Sequence, residues 1–253
     1  MTPYNSALIT GASSGIGRAL AEALAAPGVT LHLGGRNANR LEQTAIACRA
    51  KGAVAHVAPV DVTNAEATAA WIAAAAPLDL VIANAGISGG AGIGTGETAA
   101  QARAIFATNL DGALNTAFPA LETMAPGGTI AVVASVAAFI PTPGAPAYGA
   151  SKSAIDAWTV AAAPAAAQRG IHLVSICPGF IRTPMTAANP YKMPGLMDAE
   201  RAAAIILRAL PNHPRRIVFP WWMGAIARSL ALVTPVVALM ARIQGKPALP
   251  HAE

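Results

Sequence analysis

Seven short apolar runs alternate along this 253-residue chain with longer, alanine-rich stretches of helical spacing; the runs lie at residues 7–10, 30–34, 54–59, 78–83, 128–134, 172–177 and 216–219. No other feature restricts the fold as much. Strands separated by whole helices cannot pair as hairpins. They pair in parallel, and the helices cross over the faces of the sheet. The run Leu78-Asp79-Leu80-Val81-Ile82-Ala83 is almost continuously apolar, which suits a strand buried on both sides. Helical spacing is clearest at 15–26, 40–50 and 66–75. The expected fold is α/β: a doubly wound, mostly parallel, seven-stranded Rossmann-like sheet with helices on both faces. Ligands of such sheets bind beyond the carboxyl ends of the strands, so the chemistry is expected just after each run.

Composition narrows the function. The chain is 54% hydrophobic and 11% charged, which excludes a disordered chain. Much of the apolar content is alanine, so a mean hydropathy of +0.48 does not by itself indicate a membrane protein. The net charge is +5, but Arg215-Arg216 is the densest basic pair and no basic patch interleaved with aromatics is present. Nucleic acid is therefore not an expected partner, while a polyanionic cofactor suits the basic balance. Cys48 and Cys177 stand far apart and suggest no disulfide framework. The five histidines lack ligand spacing, so no metal site is expected. The start of the chain has no basic leader and runs directly into a strand, which points to the cytoplasm. Two irregular stretches stand out: a Gly-rich loop at 88–96 and a Pro- and Met-containing segment at 184–194, the second placed to form a flap over a ligand.

The first run ends in Thr10-Gly11-Ala12-Ser13-Ser14-Gly15-Ile16-Gly17, followed by a helix. Glycines let the backbone approach a pyrophosphate, and the helix N-terminus offers free N–H groups to the anion. This loop resembles the cofactor fingerprint of the short-chain dehydrogenase/reductase family, and the resemblance continues over about residues 7–220. It implies dinucleotide contacts at Gly11, Ser13, Ser14, Gly15, Ile16 and Gly17. Asp61 and Val62 resemble the pair that meets the adenine ring. Asn84-Ala85-Gly86 resembles the family's N-A-G motif, with Ala83 standing where a second Asn is common. Gly35 occupies the position where NAD enzymes of the family place a carboxylate. Arg36 follows, with Asn37 beside it, and a guanidinium suits a 2′-phosphate. The expected cofactor is NADP(H). Pro178, Gly179, Ile181 and Thr183 resemble the family segment that holds the nicotinamide carboxamide.

Tyr148 and Lys152 are four residues apart, on one face of an expected helix, and Ser135 ends the fifth run. The set resembles the family's Ser–Tyr–Lys site, and Asn109 matches its fourth member. The residue types suit the chemistry. Carbonyl reduction needs a hydride on carbon and a proton on oxygen. A tyrosine titrates near about 10, and a neighbouring ammonium brings it closer to neutral pH. Tyr148 is thus the expected general acid/base and Ser135 the group that orients the substrate oxygen. Lys152 holds the ribose and lowers the tyrosine pKa, and Asn109 supports a proton relay. Ser88, Val136, Ala137, Phe139, Pro143, Phe180, Met185, Tyr191 and Met193 are candidate substrate contacts. Most are apolar, which favours a moderately hydrophobic ketone, aldehyde or secondary alcohol.

Two features depart from the family pattern. Pro164 falls inside the helix of Tyr148 and is expected to interrupt it. Beyond the dinucleotide-binding and catalytic domain, 1–220, the chain continues in an apolar extension, 221–253, expected to pack on or next to that domain. The extension can cover the substrate pocket, form a subunit surface or rest on a membrane interface. The expected assembly is a homodimer or homotetramer. Two other readings are a sugar-nucleotide epimerase or dehydratase, which would carry a different Gly motif, and a non-catalytic NADPH sensor or membrane-associated scaffold, which would have no need of an acid–base tyrosine.

Overall fold

A computed structural model describes residues 3–89, 97–187, 189 and 192–231 of the chain. In chain order it contains β1 (Ser6–Thr10), α1 (Gly15–Leu24), β2 (Thr30–Gly35), α2 (Ala38–Arg49), β3 (Val54–Pro59), α3 (Ala65–Ala75) and β4 (Leu80–Ala83). There follow α4 (Ala99–Phe106), α5 (Gly112–Thr123), β5 (Thr129–Val133), α6 (Pro146–Gln168), β6 (His172–Pro178), β7 (Ile181–Arg182), α7 (Pro184–Ala187), β8 (Met197–Asp198), α8 (Ala199–Ala209), β9 (Arg216–Phe219) and α9 (Trp221–Ala231). Seven strands form one sheet in the order β3-β2-β1-β4-β5-β6-β9, and every pairing is parallel. The expected architecture is therefore present.

Side-chain alternation along the strands divides the interior in two. Ile9, Leu80 and Ile82 point to one core, with Leu20 and Leu24 of α1 and Ile206 of α8. Leu8, Val81 and Ile130 point to the other, with Ala117 of α5 and Ile155 of α6. Each such leucine or isoleucine, fully removed from water, contributes on the order of 2 kcal/mol. β4 begins at Leu80, two residues later than the apolar run, although Asp79 still bonds to both sides, its N–H donating to the Ser6 carbonyl and its carbonyl accepting the Thr129 N–H. The Asp79 carboxylate accepts the N–H groups of Asn5 and Ser6 at 2.8 and 3.1 Å and ties the start of β1.

Three local features differ from expectation or lie beyond it. β7 and β8 pair as a separate two-residue ladder, too short to leave a periodic signal. Between α4 and α5 the chain makes a π-helical turn, Ala107–Asp111, which carries Asn109 into the interior at 1% exposure. Pro164 does not interrupt α6, which runs through it to Gln168. Pro164 is exposed, so the carbonyl it leaves unpaired one turn earlier lies on the solvent side of the helix. Among the described residues no helix is long and apolar enough to cross a membrane. Most of the extension, 232–253, lies outside the described residues, as does most of the Gly-rich loop, 90–96.

Candidate active site

The crevice opens at the carboxyl ends of β1 and β4, where the strand order reverses. Gly11 and Gly15 take left-handed backbone conformations, with φ of 66° and 54°, and a β-carbon on Gly17 would collide with the Gly11 carbonyl oxygen. Thr10 ties the two strand ends together: its hydroxyl accepts the N–H groups of Asn84 and Ala85 at 2.9 and 3.1 Å. Asn84 returns the bond, its Nδ2 donating to the Thr10 carbonyl at 2.9 Å. One end of the crevice is a cavity of about 470 Å³ lined by Gly11, Ser13, Ser14, Arg36, Asn37, Arg40, Asp61, Val62, Ala85 and Gly86. Asn37 also N-caps α2, its side-chain oxygen accepting the Arg40 N–H at 2.9 Å. Asp61 Oδ1 accepts the Thr63 N–H and hydroxyl at 3.0 and 2.9 Å. Arg40, one helical turn beyond Arg36, joins this cavity and was not anticipated; a lone arginine at a helix start carries no motif.

The other end of the crevice is a cavity of about 150 Å³, where Ser14, Gly15, Ile16 and Asn84 meet Ser135, Tyr148, Lys152, Pro178, Gly179, Ile181 and Thr183. Gly15 packs so closely on Thr183 that an added β-carbon would lie 2.9 Å from its methyl group. Gly86 sits between Asn109 and Lys152, where a β-carbon would come within 3.2 Å of Asn109 Oδ1 and 3.5 Å of Lys152 Nζ. A Gly-lined cleft, free helix-start N–H groups and two guanidinium groups at one end form a donor set that fits a phosphorylated dinucleotide. Of the expected cofactor residues, Gly17 lies behind the cleft rather than in its wall.

Ser135 follows β5 and N-caps the 3₁₀ turn Val136–Phe139, its hydroxyl accepting the Ala137 N–H at 3.1 Å. Tyr148 and Lys152 lie on successive turns of α6, with Lys152 Nζ 5.9 Å from the centre of the Tyr148 ring. Lys152 is buried, and Nζ donates to the Val133 carbonyl at 2.7 Å. Burial pulls its pKa down to about 8, against a small opposing pull from the Cys177 thiol. The Asn109 carboxamide is engaged on both sides: Oδ1 accepts the Ile87 N–H at 2.7 Å, and Nδ2 donates to the Ile87 carbonyl and the Ser151 hydroxyl at 2.9 and 3.1 Å. Asn109 thus lies behind Gly86 and not in the cavity wall.

One turn beyond Lys152, buried Asp156 accepts both guanidinium nitrogens Nε and Nη2 of Arg216, each at 2.9 Å at its closest, and the Ser175 hydroxyl at 2.7 Å. Burial pushes the Asp156 carboxyl up, but Arg216 and Ser175 outweigh it and hold the pKa below the ordinary carboxylate value. This network fastens α6 to β6 and β9. Its members are spread over sixty residues and leave no sequence signal.

Beside Ser135 and Tyr148 lies a third cavity of about 490 Å³. Ser88, Val136, Ala137, Pro143, Phe180 and Met185 line it as expected, joined by Ile140, Pro141, Met223, Ala227 and, as its one charged side chain among the described residues, Lys192. Met193 and Phe139 are not in its wall. Met193 receives the Asn189 amide on its sulfur at 3.7 Å. Phe139 turns to α9, where the Arg228 guanidinium stacks 3.9 Å from its ring centre. Tyr191 lies outside the described residues. No group of three His, Cys, Asp or Glu side chains among the described residues is placed to hold a metal ion.

Comparison with known proteins agrees with this geometry. The sequence pattern of the short chain dehydrogenase family matches residues 5–193. An uncharacterized oxidoreductase of Myxococcus xanthus is 34% identical over 238 residues, covering 92% of this chain and 93% of the relative. A ketoacyl reductase of Nostoc sp. is 30% identical over 221 residues, covering 83% of this chain and 77% of that protein. The crystal structure of a single-residue variant of actinorhodin polyketide ketoreductase with NADPH shares the fold at a TM-score of 0.74 and 22% identity, over 87% of this chain and 97% of that one. The chain belongs to the short-chain dehydrogenase/reductase family of NAD(P)(H)-using oxidoreductases.

Proposed function

We propose that this protein is an NADP(H)-dependent carbonyl reductase or alcohol dehydrogenase, acting on a moderately hydrophobic ketone, aldehyde or secondary alcohol. The observation that carries the reading is the sharing of Ser135 and Tyr148 between two cavities. One is the crevice with the phosphate-binding loop, and the other is the largely apolar chamber. A carbonyl in the chamber meets both hydroxyl groups at the junction. The Nostoc relative, a ketoacyl reductase, supports the reductive direction.

The bound nicotinamide would supply the hydride. The chain's own residues do the rest. Gly11, Ser14 and Ile16 would hold the pyrophosphate at the start of α1, and Ile181 and Thr183 the carboxamide end. Arg36 and Arg40 would bind the 2′-phosphate, and Gly35 leaves the end of β2 without a carboxylate. Ser135 orients the carbonyl oxygen, and Tyr148 delivers the proton to it. Lys152 favours the phenolate that is left. The phenolate takes its proton back from solvent, and Asn109 buttresses the site from behind Gly86, its carboxamide committed to Ile87 and Ser151. Met223 and Ala227 of the C-terminal extension form part of the chamber roof. Exposed Phe106 and Phe118 are part of the surface through which we expect the chain to form a homo-oligomer.

The test is coenzyme oxidation by the purified protein with a panel of apolar ketones and aldehydes. NADPH is expected to be favoured over NADH by at least about tenfold in kcat/KM, as two charge-assisted contacts to a phosphate allow. The variant R36A/R40A is expected to lose that preference. Comparable use of NADH by the unaltered protein overturns the NADP assignment, and no turnover of any carbonyl favours the non-catalytic sensor.

A further inference from the structure

The catalytic helix α6 lacks a cap of its own. It starts at Pro146, which has no N–H, and Ala145 before it has no side chain that can accept a bond. The first N–H of the helix is that of Ala147, the residue before Tyr148. It donates instead to Glu97 Oε2, at 2.7 Å and from fifty residues earlier in the chain. The second carboxylate oxygen of Glu97, Oε1, is buried and has no hydrogen-bond partner among the described residues. It faces Gly89, where an added β-carbon would stand 3.3 Å away. Gly89 follows Ser88, which lines the chamber.

The residue after Glu97 is anchored at the start of α4. This residue, Thr98, caps α4 in a reciprocal box with Gln101: the Thr98 hydroxyl accepts the Gln101 N–H at 3.2 Å, and the Gln101 side chain accepts the Thr98 N–H at 2.9 Å. Glu97 therefore stands where the segment after β4, the start of α4 and the start of α6 converge. A serine or aspartate at position 145 would cap α6 locally, with no carboxylate brought in from fifty residues away. What Glu97 does and a local cap would not is place a carboxylate that holds the Tyr148 turn directly beside Gly89, the neighbour of Ser88 in the chamber wall.

We propose that Glu97 is a positioning residue: by accepting the Ala147 N–H it fixes the turn of α6 that carries Tyr148 against the Ser88 wall, so that the phenol meets the substrate oxygen. The proposal rests on Tyr148 as the proton donor. The Ala147 N–H needs an acceptor, which glutamine also offers. A helix start so close to the phenol governs the chemical step, while the phosphate-binding loop lies on other elements.

The experiment compares E97A and E97Q with the unaltered full-length chain. Three quantities are measured: kcat and KM for the best ketone of the panel, the Kd of NADPH by fluorescence, and amide hydrogen exchange of the first turn of α6. In E97A, kcat is expected to fall by about tenfold or more, with KM and the NADPH Kd within about threefold, and the amides of 147–149 to exchange faster. E97Q is expected to restore both kcat and protection. Unchanged kcat in E97A, equal loss in E97A and E97Q, or a loss confined to KM or Kd overturns the proposal. Unchanged exchange in E97A overturns it even if no carbonyl substrate is turned over, so failure of the clamp and failure of the functional reading are told apart. Should E97A fold poorly, kcat of E97Q near the unaltered value together with retained exchange protection supports the clamp, and loss of either overturns it.

Discussion

Lys152 is only 4% exposed, and its ammonium has one fixed acceptor in the Val133 carbonyl. Its pKa of about 8 lies below the ordinary 10.5 because burial disfavours the charged form. The sign of the linkage follows. Between about pH 8 and 10.5 the unfolded chain holds a proton that the folded chain has released, so stability rises with pH across that window. At pH 7 the charged lysine costs folding roughly 3 kcal/mol, at about 1.4 kcal/mol per unit. We expect Lys152→Met to abolish turnover, to raise the thermal midpoint at pH 7 by several degrees, and to flatten the rise between about pH 8 and 10.5. Thermal melts of both proteins across that range check it.

At this scale the clustering of side chains was legible in the sequence where a motif set their type and spacing. Ser135, Tyr148 and Lys152 lie where the spacing put them, on one cavity. Arg40 and Glu97 were not legible. Each is a single charged residue whose meaning comes from a partner distant in sequence or from a shared cleft. Phe139 was read as a substrate contact because it is apolar and close to Ser135. It stacks under Arg228, a residue that only the fold brings to it.

Among the elements, α6 carries Tyr148 and Lys152 and is fastened at several points. Glu97 holds its start, Asp156 and Arg216 hold its middle, and Ser153 bonds to the Ala138 carbonyl at 2.9 Å beside the Ser135 turn. Pro164 does not end it, since local propensity yields when the affected carbonyl faces water. The helix α9 was open to three readings, because an apolar stretch does not state which face is covered. Its described part is placed by Gly224, which packs directly on Val218 and near Phe139 and so turns Met223 and Ala227 toward the chamber. A larger side chain at 227 should therefore fill the chamber. Ala227→Phe is expected to raise KM for bulky ketones by about tenfold, on the order of the 1–3 kcal/mol of an overpacked site, and to leave the NADPH Kd unchanged. Steady-state kinetics with a bulky and a small ketone measure both effects.

For the whole molecule, the alternation of strands and helices was enough to identify the sheet and its parallel sense. It did not give the strand order, which the β1–β4 neighbour pairing sets and which opens the crevice between Gly11 and Ala85. The Gly-rich loop after β1, the Ser–Tyr–Lys set and the chamber residues of α9 come from widely separated stretches, and the sheet brings their ends to one edge. The central claim is that Tyr148 moves the proton in an NADPH-dependent carbonyl reduction at that edge. Its most direct test is Tyr148→Phe, with turnover of the best carbonyl and NADPH affinity measured on the same preparation. The phenol is expected to matter only for the chemical step, so kcat falls by about 10²–10⁴-fold while the NADPH Kd stays unchanged. A variant that keeps near wild-type kcat would contradict the claim.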